Sequence, residues 1–184
     1  EAKRQVFGVV DIDMLAGPTE LVIIANNSTP LEFVIADMQS QAEHAKGLSI
    51  LVTPSKPLAS AVKKQVKAGY VVMVKNLEQA VDVANKISPE HLQIMVKSPA
   101  ALVKKIKHAG AIFIGPYSPA VVGDYIAGPS HVLPTGGTAR FFSGLSTCDF
   151  VKSSHIISYS KKTLEEVAGS IEKIATLEGM AKHL

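Results

Sequence analysis

Five short apolar runs rich in valine and isoleucine, separated by stretches of helical period, constrain this chain more than any other feature. The runs cover residues 21–25, 48–53, 70–74, 92–96 and 111–115. Each is almost continuously apolar, as a strand buried on both faces must be. Helical spacing fills the intervals at 30–45, 56–67, 76–87 and 99–108. The first helix is the best signalled, with Thr29 as N-cap, Pro30 in the first turn and Glu32 closing a capping box. Strands that alternate with helices pair in parallel, because each parallel pair needs a crossover.

The expected fold class is therefore α/β: a parallel-rich sheet with flanking helices, an incomplete Rossmann-like domain. From about residue 115 to 146 glycine and proline punctuate a loop-rich segment. Residues 149–159 read as one further strand. Residues 161–182 read as a long helix, with Leu164, Val167, Ile171, Ile174 and Ala175 on one face and an end near Gly179. The expected organisation is an α/β domain at 1–146 and a C-terminal helical arm at 147–184, packed on a neighbouring domain or subunit.

With 184 residues, 47% of them hydrophobic, the chain can bury a sizeable core, which excludes a disordered segment. Its net charge of +3 comes from lysines such as Lys63, Lys64, Lys67, Lys104, Lys105 and Lys107. They fall in helical stretches without interleaved aromatics, so they read as solvated faces and not as a nucleic-acid surface. Cys148 is the only cysteine. No internal disulfide can form, which suits a reducing cytoplasm, and apolar flanks make Cys148 an expected buried small hydrophobe. No apolar run approaches the ~20 residues of a membrane span. The opening Glu1-Ala2-Lys3-Arg4-Gln5 carries no apolar signal segment and reads as a chain entered part-way.

Chemistry concentrates where ionisable groups leave the apolar periodicity. Residues 123–135 put Asp124, Tyr125 and His131 among glycines and prolines, the composition of a shaped loop that walls a site. Gln41 and His44, three apart on the first helix, emerge from one face. A carboxamide oxygen and a histidine nitrogen can share a metal ion, and Asp124 and His183 supply the donor types that complete a borderline-soft site such as zinc. The same groups serve equally as polar surface. Glu90-His91 stands where a helix ends and a strand begins, a place suited to proton transfer. A helix-turn cap and a strand-edge packing residue would explain the pair as well. Ala16-Gly17-Pro18-Thr19-Glu20 reads as a tight turn offering a hydroxyl and a carboxylate. No Gly-x-Gly-x-x-Gly fingerprint follows any strand.

Together with Glu1-Ala2-Lys3-Arg4-Gln5-Val6-Phe7-Gly8, Ile12-Asp13-Met14 and Gly17-Pro18, these motifs make residues 1–183 resemble the C-terminal half of the histidinol dehydrogenase family. The resemblance implies a zinc- and NAD-dependent enzyme of histidine biosynthesis that oxidises L-histidinol to L-histidine through the aldehyde. It implies zinc ligands at Gln41, His44, Asp124 and His183, and a catalytic pair at Glu90 and His91. The implied substrate contacts are Thr19, Tyr125, His131 and Glu178, together with the ligands and His91. It further implies a homodimer in which the C-terminal arm completes the partner's site. Neither a nucleic-acid nor a membrane partner is implied.

This chain departs from the family pattern in three places. The family's chains are more than twice as long, and the half absent here carries most of the nicotinamide site, so no cofactor-binding residue is assigned. The interval between His44 and His91 is short, as though a helix and loop near Ala68-Gly69 were deleted beneath Glu90. Ser118-Pro119-Ala120 stands where the family commonly has a glutamate that contacts substrate. Two alternatives follow: a related dehydrogenase of another small polar alcohol, and a non-catalytic zinc-binding or dimerisation remnant.

Overall fold

Each apolar run pairs with its neighbours in register to give a single sheet, as seen in a computed structural model that describes residues 1–180 and Lys182. Strands β1 (Glu20–Ala25), β2 (Leu48–Thr53), β3 (Tyr70–Met73), β4 (His91–Met95) and β5 (Ala111–Ile114) are all parallel, in the order β3-β2-β1-β4-β5. The chain steps outward from β1 to β2 and β3, then returns across β1 to lay down β4 and β5. Helices α1 (Ala2–Val6), α2 (Leu31–Ala42), α3 (Lys56–Gln65), α4 (Leu77–Ile87), α5 (Ala100–Val103) and α6 (Val121–Tyr125) complete this part.

Side chains alternate across the sheet and give each face its own core. Leu21, Ile23, Ala25, Leu51 and Met95 meet Val34 and Met38 of α2 and Leu58 and Val62 of α3. On the other face Val22, Ile24, Val52, Leu92 and Ile94 meet Ala80, Val81 and Ala84 of α4 and Leu102 of α5. β3 is the edge strand on the side away from β4. A shortened stretch near Ala68-Gly69 therefore borders the sheet's rim, while β1 and β4 beneath Glu90 stay paired from Leu21↔His91 to Ala25↔Met95.

Four local expectations are corrected. The N-cap of α2 is Pro30, with no side-chain cap. Thr29 is occupied elsewhere: its hydroxyl accepts from Asn26 N–H and donates to Met95 O, tying the β1–α2 turn to the end of β4. The helix expected at 99–108 stops at Val103. Asn85 takes over the following backbone, accepting from Lys107 and His108 N–H and donating to Lys105 O.

Residues 149–159 form no strand. Asp149 closes a tight turn, Thr147–Phe150, by accepting from Ser146 N–H at 2.6 Å, and the chain beyond it finds no ladder partner among the described residues. Cys148 lies in that turn and is exposed, because Ser146 and Asp149 hold the turn at the surface despite its apolar flanks.

The structure divides into two units, Glu1–Phe150 and Val151–Leu184, a few residues beyond the expected boundary. The second holds α7 (Lys161–Leu177), whose N-cap Ser160 accepts from Thr163 N–H at 3.1 Å. Among the described residues no helix is long and apolar enough to cross a membrane.

Candidate active site

Glu90, His91 and Asp124 meet at the amino-terminal edge of the strands. Open α/β sheets ordinarily bind ligands at the opposite, carboxyl edge. Glu20 opens β1, and Glu90 immediately precedes β4, which opens with His91. Ala111 N–H donates to Glu90 O, and Gly110 N–H to Pro89 O, so the start of β5 fixes the Glu90 backbone. The segment before β1 forms no turn, against the tight turn expected there. Gly17 N–H donates to the Thr135 hydroxyl at 2.5 Å, which docks the loop-rich segment onto it.

Glu90, His91 and Asp124 form a line. Glu90 Oε2 lies 3.7 Å from His91 Nδ1, and Asp124 Oδ1 lies 3.8 Å from His91 Nε2. His91 is 5% exposed and Glu90 8%, and neither ring nitrogen has a hydrogen-bond partner among the described residues. A buried imidazole with both nitrogens unsatisfied but flanked by carboxylates is set up to exchange protons with a third group. Phe113 of β5 packs beside it, ring centroids 5.8 Å apart. Gly123 permits that approach, since a Cβ there would fall 2.7 Å from the Phe113 ring. Asp124 is carried by α6, a short helix inside what reads as loop.

Gln41 sits in the last turn of α2, buried, and its amide nitrogen donates to the Thr19 hydroxyl at 3.2 Å. Its carbonyl oxygen remains available. One helical turn earlier, Asp37 accepts from Gln93 Nε2 at 2.8 Å. Four helical residues rise about 6 Å and two strand residues about 6.6 Å, so Gln41 comes level with His91 as Asp37 does with Gln93. His44 is not on the helix: α2 ends at Ala42 with Glu43 as C-cap, and His44 is held in the next turn, its N–H donating to Gln41 O. It is exposed.

Tyr125, the last residue of α6, and His131, on the loop beyond it, are exposed. Glu178, in the second unit, is the C-cap of α7. His183 lies outside the described residues. Among the described residues no three His, Cys, Asp or Glu side chains cluster as a metal site.

Sequence reading missed the burial of two polar groups. Gln93 is fully buried in β4, a lone amide inside an apolar run, which is itself the signal of a buried partner. Glu20 stands at the head of another such run; burial pushes its carboxyl above the ordinary 4.5, against the backbone N–H groups of Glu90, Gly136 and Gly137. Burial likewise raises Asp37 above its ordinary 3.8, partly offset by Gln93. As pH climbs from 3.8 towards the raised value, the folded state retains a proton that the unfolded chain has lost, so this group makes stability fall with rising pH. Asp37→Asn should flatten that fall. Urea midpoints measured across the acid range check it, and an unchanged slope would rule Asp37 out as the source.

Comparison with known proteins narrows the α/β fold to one family. The family model described as histidinol dehydrogenase matches residues 1–184. The chain belongs to the histidinol dehydrogenase family. It is 47% identical over 201 residues to the histidinol dehydrogenase of Heliobacterium mobile, and 47% identical over 201 residues to that of Bacillus subtilis (strain 168). Each alignment covers 99% of this chain and 47% of the relative. The chain thus spans about half the length of the relatives it matches, and alignments longer than its 184 residues mean that the relatives carry residues it lacks. A crystal structure of histidinol dehydrogenase from Elizabethkingia anophelis superposes with a TM-score of 0.89 at 32% identity, over 99% of this chain and 46% of that one. The α/β fold is that of a histidinol dehydrogenase structure. Against this family background, Ala120 packs on the apolar cluster of α2 and α3 at the start of α6.

Proposed function

We propose that this chain is the metal- and substrate-binding half of a cytoplasmic, zinc-dependent, NAD-linked dehydrogenase that oxidises L-histidinol to L-histidine. The observation that carries the reading is the buried Glu90–His91–Asp124 line with its unsatisfied imidazole. His91 takes the substrate hydroxyl proton as hydride leaves the carbinol carbon, and Glu90 takes a proton from the water that attacks the aldehyde. Each carboxylate beside the ring stabilises it when protonated. Thr19, Tyr125, His131 and Glu178 contact the substrate.

Gln41, His44 and Asp124 are this unit's zinc ligands, with His183 the fourth. The donor set fits zinc, since the Gln41 amide nitrogen is turned to Thr19 and leaves its oxygen for a cation. When bound, the ion orients the substrate's imidazole and amino nitrogens. The turn after β1 offers NAD no glycine loop, and its Asn26 accepts from Ser28 N–H and hydroxyl within the turn itself. The NAD site is assigned to the half of the relatives that this chain does not match.

The second unit supports a homodimer with exchanged arms. Leu164, Ile171 and Ile174 are exposed along one face of α7, as in a helix that docks elsewhere. His183 and Glu178 then serve the partner's site.

The test mixes this chain with the unmatched half of the Bacillus subtilis relative and follows NADH from L-histidinol and NAD+. Turnover is expected to vanish with a zinc chelator and return with added zinc. Turnover indifferent to chelation would remove zinc from the reading. No NADH in a mixture shown to associate would remove the activity.

A further inference from the structure

We infer that Gln93 is a positioning residue for the proposed metal donors: its buried amide ties α2, which carries Gln41, to the segment that leads into α6, which carries Asp124. The inference rests on the zinc reading above and deepens it.

Gln93 lies two residues beyond His91 in β4, so the two side chains share the sheet face that α2 covers. It is fully buried, flanked in register by Ile23 of β1 and Phe113 of β5. Its Nε2 donates to Asp37 Oδ2 at 2.8 Å and to Ser118 O at 3.4 Å. One amide thus serves two segments that are distant in sequence. Asp37 stands one helical turn before Gln41 on α2. Ser118 precedes the turn in which Pro119 O accepts from Val122 N–H and Ala120 O from N–H of Gly123, the residue before Asp124. The same two segments meet again where the rings of Phe33 and Tyr117 cross edge to face, centroids 6.1 Å apart. Gln41 and Asp124 therefore stand on two arms pinned to one floor residue.

The residue type is informative. Packing alone would favour an apolar side chain between Ile23 and Phe113, and the amide leaves its own Oε1 buried without a partner among the described residues. What an amide adds is two N–H donors on one nitrogen, one for a carboxylate and one for a carbonyl. Those acceptors also fix its orientation, since the amide turned over would set its oxygen against two others. A glutamate there would meet Asp37 as a like charge and donate to neither acceptor.

Zinc binding, cobalt absorption and hydrogen exchange test this in the mixture described above. Gln93→Met keeps the volume and removes both donors, so the protein should stay folded. Zinc affinity, measured by competition with a chelator, should weaken about 10- to 100-fold, as when a group that orients a ligand is lost. Cobalt(II) loaded in place of zinc should show an altered visible absorption band, which follows ligand geometry. Gln93→Glu should weaken zinc at least as much, and adding Asp37→Asn should recover about tenfold, because the asparagine amide then donates to the glutamate. A merely structural role would lower stability without moving affinity or band. Hydrogen exchange reads the tie without metal: amides of Val122 and Gly123 should lose protection in Gln93→Met, while those of Val22 and Ile24 keep theirs. A parent-like zinc affinity or cobalt band in Gln93→Met, no recovery in the double variant, or unchanged exchange at Val122 and Gly123 would each overturn the inference. A parent mixture that takes up no zinc sinks the zinc reading instead, and the exchange experiment still decides whether Gln93 ties α6 to α2.

Discussion

Asparagine in place of His91 should cut NADH formation from L-histidinol about a thousandfold while zinc content and fold stay intact. The ring is buried, contacts Phe113 on one side and has a carboxylate near each nitrogen, so it acts through its nitrogens and not through exposed surface. Asparagine fills much of the same space but cannot take up a proton near neutrality. The effect should fall on kcat, because the proposed metal ligands that hold substrate are untouched. A parallel loss of bound zinc would show that His91 supports the metal and would leave its proton-transfer role without support. The same variant probes the exchanged arm. Mixed with an inactive His183→Asn chain under conditions that allow subunits to re-pair, it should restore about a quarter of parent activity, since half the dimers carry one intact site of two. Mixtures that stay inactive although mixed dimers form would place His183 in its own subunit's site or outside any site.

Alanine at Gly47 should cost both stability and metal. A Cβ there would lie 2.3 Å from Gln41 O and 3.0 Å from His44 Cβ, and a backbone oxygen cannot rotate away. The turn is already tight: Gly47 N–H donates to His44 O at 2.9 Å, and Lys46 adopts φ 65. Relief requires the loop to open, which should lower the unfolding free energy by about 1–3 kcal/mol. Opening also separates His44 from Gln41, and zinc affinity should weaken by about 10- to 100-fold, the usual cost of disturbing what orients a ligand. Denaturant titration and competition with a zinc chelator measure the two effects separately. Lower stability with unchanged zinc affinity would exclude His44 as a ligand.

Much of this fold was legible because it follows from burial and period alone. β1 is apolar on both faces because helices cover both, and that condition leaves its mark directly in the sequence. Competition between local and distant partners left no such mark. Thr29 reads as a cap until Met95 O claims its hydroxyl, and the residues after Val103 read as helix until Asn85 claims their backbone. The apolar character of 149–159 resembles a strand, but a strand exists only where another offers its edge. For the site, Glu90, His91 and Asp124 stood out as charges among loop residues or at the ends of apolar runs. Glu20 was hidden by its position, since a carboxylate before a strand is ordinarily solvated and only the register of β1 against β4 buries it.

The amino edge also carries an electrical polarity. In a parallel sheet with right-handed crossovers the helices run opposite to the strands, so α2 and α4 present their carbonyl ends where His91 and Gln41 lie. Each such end carries roughly half a negative charge. Phosphates are drawn to the other edge, where helices begin. An edge that joins helix carbonyl ends to the carboxylates of Glu20, Glu90 and Asp124 repels anions and favours cations.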